Sequence, residues 1–240
     1  MSDAGPLFAA TEAWIAADPD PATAARLVDA LERARTTGDL VELTDLMGER
    51  LDFGTAGLRG EMGPGSNRLN LLMARQTAAG LARSLHAHAD RPTDRGVLVG
   101  HDARHGSEQF AIGIVAVLEA TGIPCRLVPG PQPTPLIAWG IHHLDAAAGV
   151  VVTASHNPAK DNGIKIYWGD GAQIIPPTDG WIADDIAAAV SDRLDPVGPP
   201  IEPTPALDTL IDDYVAMVTG LVGGPNATRS ELRIAATAMH

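Results

Sequence analysis

The stretch Ala148-Gly149-Val150-Val151-Val152-Thr153-Ala154-Ser155-His156-Asn157-Pro158-Ala159-Lys160-Asp161-Asn162-Gly163-Ile164-Lys165-Ile166-Tyr167-Trp168 decides the fold. A short aliphatic run reads as a buried strand, breaks at Thr153 into a polar loop of turn formers, and resumes at Gly163 as a second strand. Alternation sets Lys165 on the face opposite Ile164 and Ile166. Working upstream, Gly96-Val97-Leu98-Val99-Gly100 reads as another buried strand. Ser107 reads as the cap of a helix that carries Phe110, Ile114, Val117 and Leu118 and stops near Gly122. Cys125 to Val128 is a strand, Thr134-Pro135 opens a helix to about His143, and Thr178 to Val190 forms another. This alternation predicts an α/β fold: a three-layer α/β/α sandwich with a mixed sheet.

Farther out the pattern changes. Asp20-Pro21 is an N-cap followed by proline at the first helical position, and Ala24, Leu27, Val28 and Leu31 repeat at helical spacing. With a second short helix over 39–48, residues 1–48 read as a helical N-terminal extension. Between 49 and 70 the glycines Gly54, Gly57, Gly60, Gly63 and Gly65 predict tight turns and close backbone approach, not a core element. A helix is expected over 71–89, with Met73, Thr77, Leu81 and Leu85 on one stripe. Pro196, Pro199, Pro200, Pro203 and Pro205 mark a linker-like stretch, followed by a helix over 206–222 and a strand from Leu232. The expected organisation is an extension at 1–48, a sandwich domain at 49–200, and a linker with the truncated start of a second, similar α/β domain at 201–240.

Composition narrows the function. The 240 residues carry 17 Lys plus Arg against 30 Asp plus Glu, a formal charge of −13. That balance argues against nucleic-acid partners and against anionic membranes. The aliphatic run Ile112 to Leu118 is too short to span a bilayer, and the N-terminus lacks the features of a signal peptide. The expectation is a soluble, cytoplasmic protein, with the oligomeric state left open. A single cysteine, Cys125, excludes an intrachain disulfide. Only two of the 17 cations are lysines, Lys160 and Lys165, and both fall in the deciding stretch. An ammonium is a compact charge that shifts its pKa readily, unlike the guanidinium fork.

Loops at the carboxyl ends of strands in open α/β sheets are where ligands bind. The loop after Val152 holds Ser155 with donors His156, Asn157, Lys160 and Lys165 close by. There is no Gly-x-Ser-x-Gly elbow, and adjacent His156 cannot easily reach round to deprotonate Ser155, which argues against a serine-hydrolase reading. His86 with His88, and His142 with His143, have no carboxylate or cysteine companions at zinc spacing. Arg59, set among glycines, is a further candidate cation. Lys160 reads as surface, Asp102 and Arg104 as bracing the turn after a strand, and the four tryptophans as packing.

Thr153-Ala154-Ser155-His156-Asn157-Pro158, with Asn162-Gly163-Ile164-Lys165 downstream, resembles the phosphoserine loop of the α-D-phosphohexomutases, the phosphoglucomutase/phosphomannomutase family. Three further segments resemble that family in the same order: Phe53-Gly54-Thr55-Ala56-Gly57-Leu58-Arg59-Gly60, Gly100-His101-Asp102-Ala103-Arg104-His105-Gly106-Ser107, and Pro133-Thr134-Pro135. The resemblance covers about residues 45 to 240. The Thr-Ala-Gly variant and the helical N-terminus look most like the phosphomannomutase-like and phosphoglucomutase-2/phosphopentomutase-like branch.

The resemblance implies a phosphosugar mutase moving phosphate between C1 and C6, or C1 and C5, of a sugar through a phosphoserine at Ser155 and a bisphosphorylated intermediate. It implies Ser155, His156, Lys165 and Arg59 as catalytic residues. Thr55, Gly57, Arg59, Ser155, His156, Asn157 and Lys165 are implied as substrate-binding. Mg²⁺ is held through the phosphate on Ser155, with its remaining ligands on an Asp-x-Asp-x-Asp loop beyond His240, and a sugar 1,6-bisphosphate serves as activator. The partner is then a small sugar phosphate, and the 240 residues alone are expected to be inactive. Two alternatives stay open: a mutase for a pentose or amino sugar, and a non-catalytic phosphosugar-binding or regulatory fragment whose Ser155 is never phosphorylated.

Overall fold

The computed structural model describes residues 4–190, 201–204, 207, 209–222, 233 and 235. These fall into two compact units, one within 1–208 and one within 209–240. In the first, the elements run α1 (Gly5–Ala17), α2 (Pro21–Thr37), α3 (Val41–Met47), β1 (Phe53–Gly54), β2 (Gly57–Glu61), α4 (Leu71–His88), α5 (Pro92–Arg95) and β3 (Val97–His101). They continue through α6 (Ser107–Ala120), β4 (Cys125–Pro131), α7 (Thr134–His143), β5 (Ala148–Val152), β6 (Asp161–Trp168) and α8 (Thr178–Ala189). The second unit contains α9 (Leu210–Val222), whose Ile211, Val215, Val218 and Leu221 are exposed.

The six strands form one mixed sheet in the order β1-β2-β6-β5-β3-β4. β4, β3 and β5 are parallel, while β6, β2 and β1 are antiparallel to their neighbours. Strand alternation sorts side chains to two faces. Val97, Val99, Ala148, Val150, Val152, Ile164 and Ile166 enter a core shared with α4, α6 and α8 and with Trp14, Leu27, Leu31 and Leu43 of the N-terminal helices. α7 covers the other face. It lies so close that a Cβ on Gly100 would stand 2.5 Å from Ile137 Cδ1, and one on Gly149 2.6 Å from Ile141 Cδ1. These two glycines therefore set the depth of the α7 layer. The result is the three-layer α/β/α sandwich.

Three expectations change. The glycine-rich stretch does contain sheet: β2 pairs with β6 from Leu58↔Ile164 to Glu61↔Asp161, and Leu58 is buried. Glycine is what permits this, because Gly57 sits at φ +83 and a Cβ there would stand 2.1 Å from the Ile164 carbonyl oxygen. Ser107 does not cap α6. Gly106 holds the N-cap position, and the Ser107 hydroxyl turns inward to Asp102. Residues 201–204 are tied down: the Thr204 amide donates to the Leu127 carbonyl and the Leu127 amide to Thr204 Oγ1, at 2.8 and 3.2 Å. The rest of the proline-rich stretch and, apart from Arg233 and Ala235, the strand expected from Leu232 lie outside the described residues. Asp20 caps α2 as expected, accepting from the Ala22 amide at 2.9 Å.

Candidate functional site

β3 and β5 are parallel neighbours, and each ends in a polar loop on the same edge of the sheet. After β5, Thr153 and Ala154 are still buried, and exposure begins at Ser155. Ser155 stands in the left-handed region at φ +56, an uncommon conformation for a residue with a Cβ. Its amide donates to Thr153 Oγ1 at 2.9 Å. Its own Oγ lies 3.4 Å from His156 Nδ1, at the long end of hydrogen bonding.

The loop after β3 braces this one from beneath. Arg104 spreads both terminal nitrogens over the carbonyl oxygens of the Ser155 loop. Nη2 donates to Ser155 and Asn157 at 2.8 and 2.7 Å, and Nη1 to Pro158 and Asp161 at 2.9 and 3.1 Å. Asp102 accepts from Thr153 Oγ1 at 2.6 Å, Ser107 Oγ at 2.7 Å and the Arg104 amide at 3.0 Å, and lies 3.3 Å from Arg104 Nε. Asn162 donates to Ser107 Oγ and the His105 carbonyl, and accepts from the Gly163 amide. Asp102 and Arg104 thus brace the Ser155 loop as well as their own turn.

β2 and β6 supply the cations. Arg59 pairs with Gly163, and Lys165 with Val151, which puts both on the sheet face opposite Ile164 and Ile166. Arg59 is exposed and donates from Nη1 to Asn157 Oδ1 at 3.4 Å. Asn157 in turn donates to Asp161 Oδ2 at 3.0 Å, so Asp161 orients the amide that Arg59 meets. Lys165 is half-buried. The structure therefore brings Ser155, His156, Asn157 and Arg59 together, with Lys165 on the same face of the sheet. Thr55 faces elsewhere: its hydroxyl binds Asp179 of α8 and its carbonyl accepts from Gln173. Gly57 contributes close backbone packing on β6. Lys160 is exposed and paired with Glu61 at 2.7 Å, which raises its pKa.

Sequence reasoning passed over Thr153 and Asp161 as individual residues. Thr153 is readable as the first polar residue after an apolar strand. Nothing local marks Asp161 as the partner of Asn157.

Among the described residues no three His, Cys, Asp or Glu side chains stand together as a metal site. The paired histidines serve packing and backbone contacts: His88 stacks on Trp181, His143 on Trp139, and His86 lies 3.1 Å from the Thr121 carbonyl. No described helix is long and apolar enough to cross a membrane.

The architecture is that of a three-layer α/β domain with a solvent-facing loop at the carboxyl edge of its parallel strands. Residues 50–193 match the model of phosphoglucomutase/phosphomannomutase, alpha/beta/alpha domain I, and the chain belongs to this family of phosphosugar mutases. It is 37% identical over 192 residues to the phosphopentomutase of Homo sapiens, covering 78% of this chain and 30% of that protein. To a phosphoglucomutase of Staphylococcus aureus it is 34% identical over 214 residues, covering 83% and 36%. A solved phosphoglucomutase/phosphomannomutase family protein from Burkholderia thailandensis overlays with TM-score 0.55 at 23% identity, covering 70% of this chain and 36% of that one; this likeness speaks for the fold. The chain thus spans about a third of the length of these relatives.

Proposed function

We propose that this chain carries the phosphoryl-accepting loop of a phosphosugar mutase, with Ser155 Oγ as the group that takes up and returns phosphate. The supporting observation is that an exposed serine at the edge of a parallel sheet keeps its oxygen free of the buried network, while the backbone on both sides is bound. In one half-reaction a sugar bisphosphate gives up one phosphoryl group. The P–O bond to the sugar breaks, a P–Oγ bond forms, and the Ser155 hydroxyl proton ends on the departing sugar oxygen. The other half-reaction, which precedes it in the cycle, runs this in reverse: phospho-Ser155 gives its phosphoryl group to the free hydroxyl of a sugar monophosphate, whose proton passes to Oγ. The bisphosphate then turns over in the site to present its other phosphate, so phosphate moves between C1 and C6, or C1 and C5 of a pentose.

Phosphoryl transfer depends mostly on positioning and charge neutralisation. A phosphoserine adds about −1.5 to −2 charge near neutral pH. Arg59 and Lys165 are the cations of this chain that meet it, Asn157 fixes Arg59, and His156 donates to phosphoryl oxygens. Thr55 and Gly57 shape the β1–β2 turn that carries Arg59. A divalent cation such as Mg²⁺ supplies further charge neutralisation when bound. The described residues offer it the Ser155 phosphate and no carboxylate cluster, so they do not complete a metal site. The 240 residues by themselves are accordingly expected to accept phosphate without sustained turnover.

The test is intact mass after incubation with a sugar 1,6-bisphosphate. The expected gain is about 80 mass units, one phosphate, absent in Ser155→Ala. No gain in the parent protein would mark a phosphosugar-binding module instead. Relative kcat/KM for hexose and pentose 1-phosphates then assigns the sugar.

A further inference from the structure

We infer that Asp102, Arg104 and Thr153 act as a clamp that holds Ser155 in its left-handed conformation and so positions Oγ for transfer. The inference rests on the phosphoryl-carrier reading of Ser155. A non-glycine residue pays a conformational cost at φ +56 and stays there only where its surroundings over-determine it. Here both ends of the residue are held. The amide donates to Thr153 Oγ1 at 2.9 Å, and the carbonyl accepts from Arg104 Nη2 at 2.8 Å. Both holders converge on one carboxylate: Thr153 Oγ1 donates to Asp102 Oδ2 at 2.6 Å, and Arg104 Nε lies 3.3 Å from that same oxygen. Because Thr153 spends its proton on Asp102, its lone pair is the part left for the Ser155 amide. The carboxylate therefore sets the direction of the hydroxyl as well as anchoring it.

Arg104 is suited to the other arm. A planar fork donates to several carbonyl oxygens at once, whereas an ammonium is a point charge. Its side chain is 11% exposed and that of Asp102 24%, so both are largely withdrawn from solvent beneath the loop. None of the three needs to touch a sugar. They are positioning residues: loss of Thr153 is expected to misplace Oγ alone, and loss of Arg104 to misplace Oγ together with Asn157, whose carbonyl it also holds.

The experiment uses the protein at its full natural length. Transfer from glucose 1,6-bisphosphate to Ser155 is followed by rapid quench and intact mass. Thr153→Val is expected to slow transfer at saturating bisphosphate ~10-fold and Arg104→Ala ~100-fold, with half-saturation changed less than about twofold. Thr153→Ser, which retains the hydroxyl, is expected to recover most of the rate, and added guanidinium to restore part of the Arg104→Ala loss. A second readout is amide hydrogen exchange at Ser155. It is expected to rise at least ~10-fold in Thr153→Val while the β3 amides are unchanged. The clamp is overturned if Thr153→Val transfers at the parent rate, if the whole loss lies in half-saturation, or if Ser155 exchange does not move. Should the parent protein take up no phosphate, the carrier reading fails by itself, and the exchange measurement alone decides the clamp.

Discussion

Two serines follow parallel neighbouring strands, and they are used in opposite ways. Ser107, after β3, is fully buried; its hydroxyl donates to Asp102 and accepts from Asn162. Ser155, after β5, is exposed, and among the described residues its hydroxyl meets only the neighbouring imidazole, at 3.4 Å. The first spends its hydrogen-bonding capacity holding two loops together, while the second is left with capacity to offer. On the proposed reading, what separates the structural hydroxyl from the phosphoryl-accepting one is whether its partners are already in the protein.

The largest break of this comparison is Ser155→Ala, expected to remove all phosphate uptake by intact mass while the melting temperature stays within a few degrees of the parent. Ser107→Ala is the mirror experiment: phosphate is still taken up, but about 1–3 kcal/mol of stability is lost in denaturant titration, because Asn162 and Asp102 each lose a buried partner. Arg59→Ala and Lys165→Gln each sharpen the picture of the exposed serine. Each is expected to slow transfer ~100-fold, read in the same quench assay, as loss of a charge-stabilising donor does.

Cys125 gives a smaller effect. Burial pushes its thiol pKa up, so it is expected to resist iodoacetamide at pH 8 in the folded protein and to react once denatured. The sign for stability follows. The unfolded thiol releases its proton near ~8.5 while the folded one keeps it, so stability falls as pH rises above that value. Smallest of all is Lys160→Ala, which removes an exposed ion pair with Glu61 and is expected to leave both melting temperature and transfer unchanged.

The alternation of strands and helices from Gly96 to Trp168 was legible because its apolar runs match the strand and helix periods, and the structure follows them closely. β2 was not legible. Gly57-Leu58-Arg59-Gly60-Glu61 has one apolar residue, and what makes it a strand is its long-range pairing with β6, where glycine lets the backbones close up. The inward turn of Ser107 was hidden for a related reason. A serine at a helix start usually serves its own helix, and only the fold brings Asp102 and Asn162 within its reach. In the site, the exposed loop, its serine and the strand-borne Lys165 were readable from local order along the chain. The convergence of Arg104 on four carbonyl oxygens depends on residues more than fifty positions away.

β5 and β6 are adjacent and antiparallel, so the loop between them has both feet on one ladder, with Val151 opposite Lys165. The register of β6 against β5 therefore fixes the face on which Lys165 stands. One inserted residue that slid β6 along its neighbour would carry Lys165 through the sheet into the hydrophobic layer and bring Ile164 or Ile166 out in its place. Variants or descendants of this chain are then free to change or lengthen that loop while the register holds, but a one-residue slip costs them the cation and the core together.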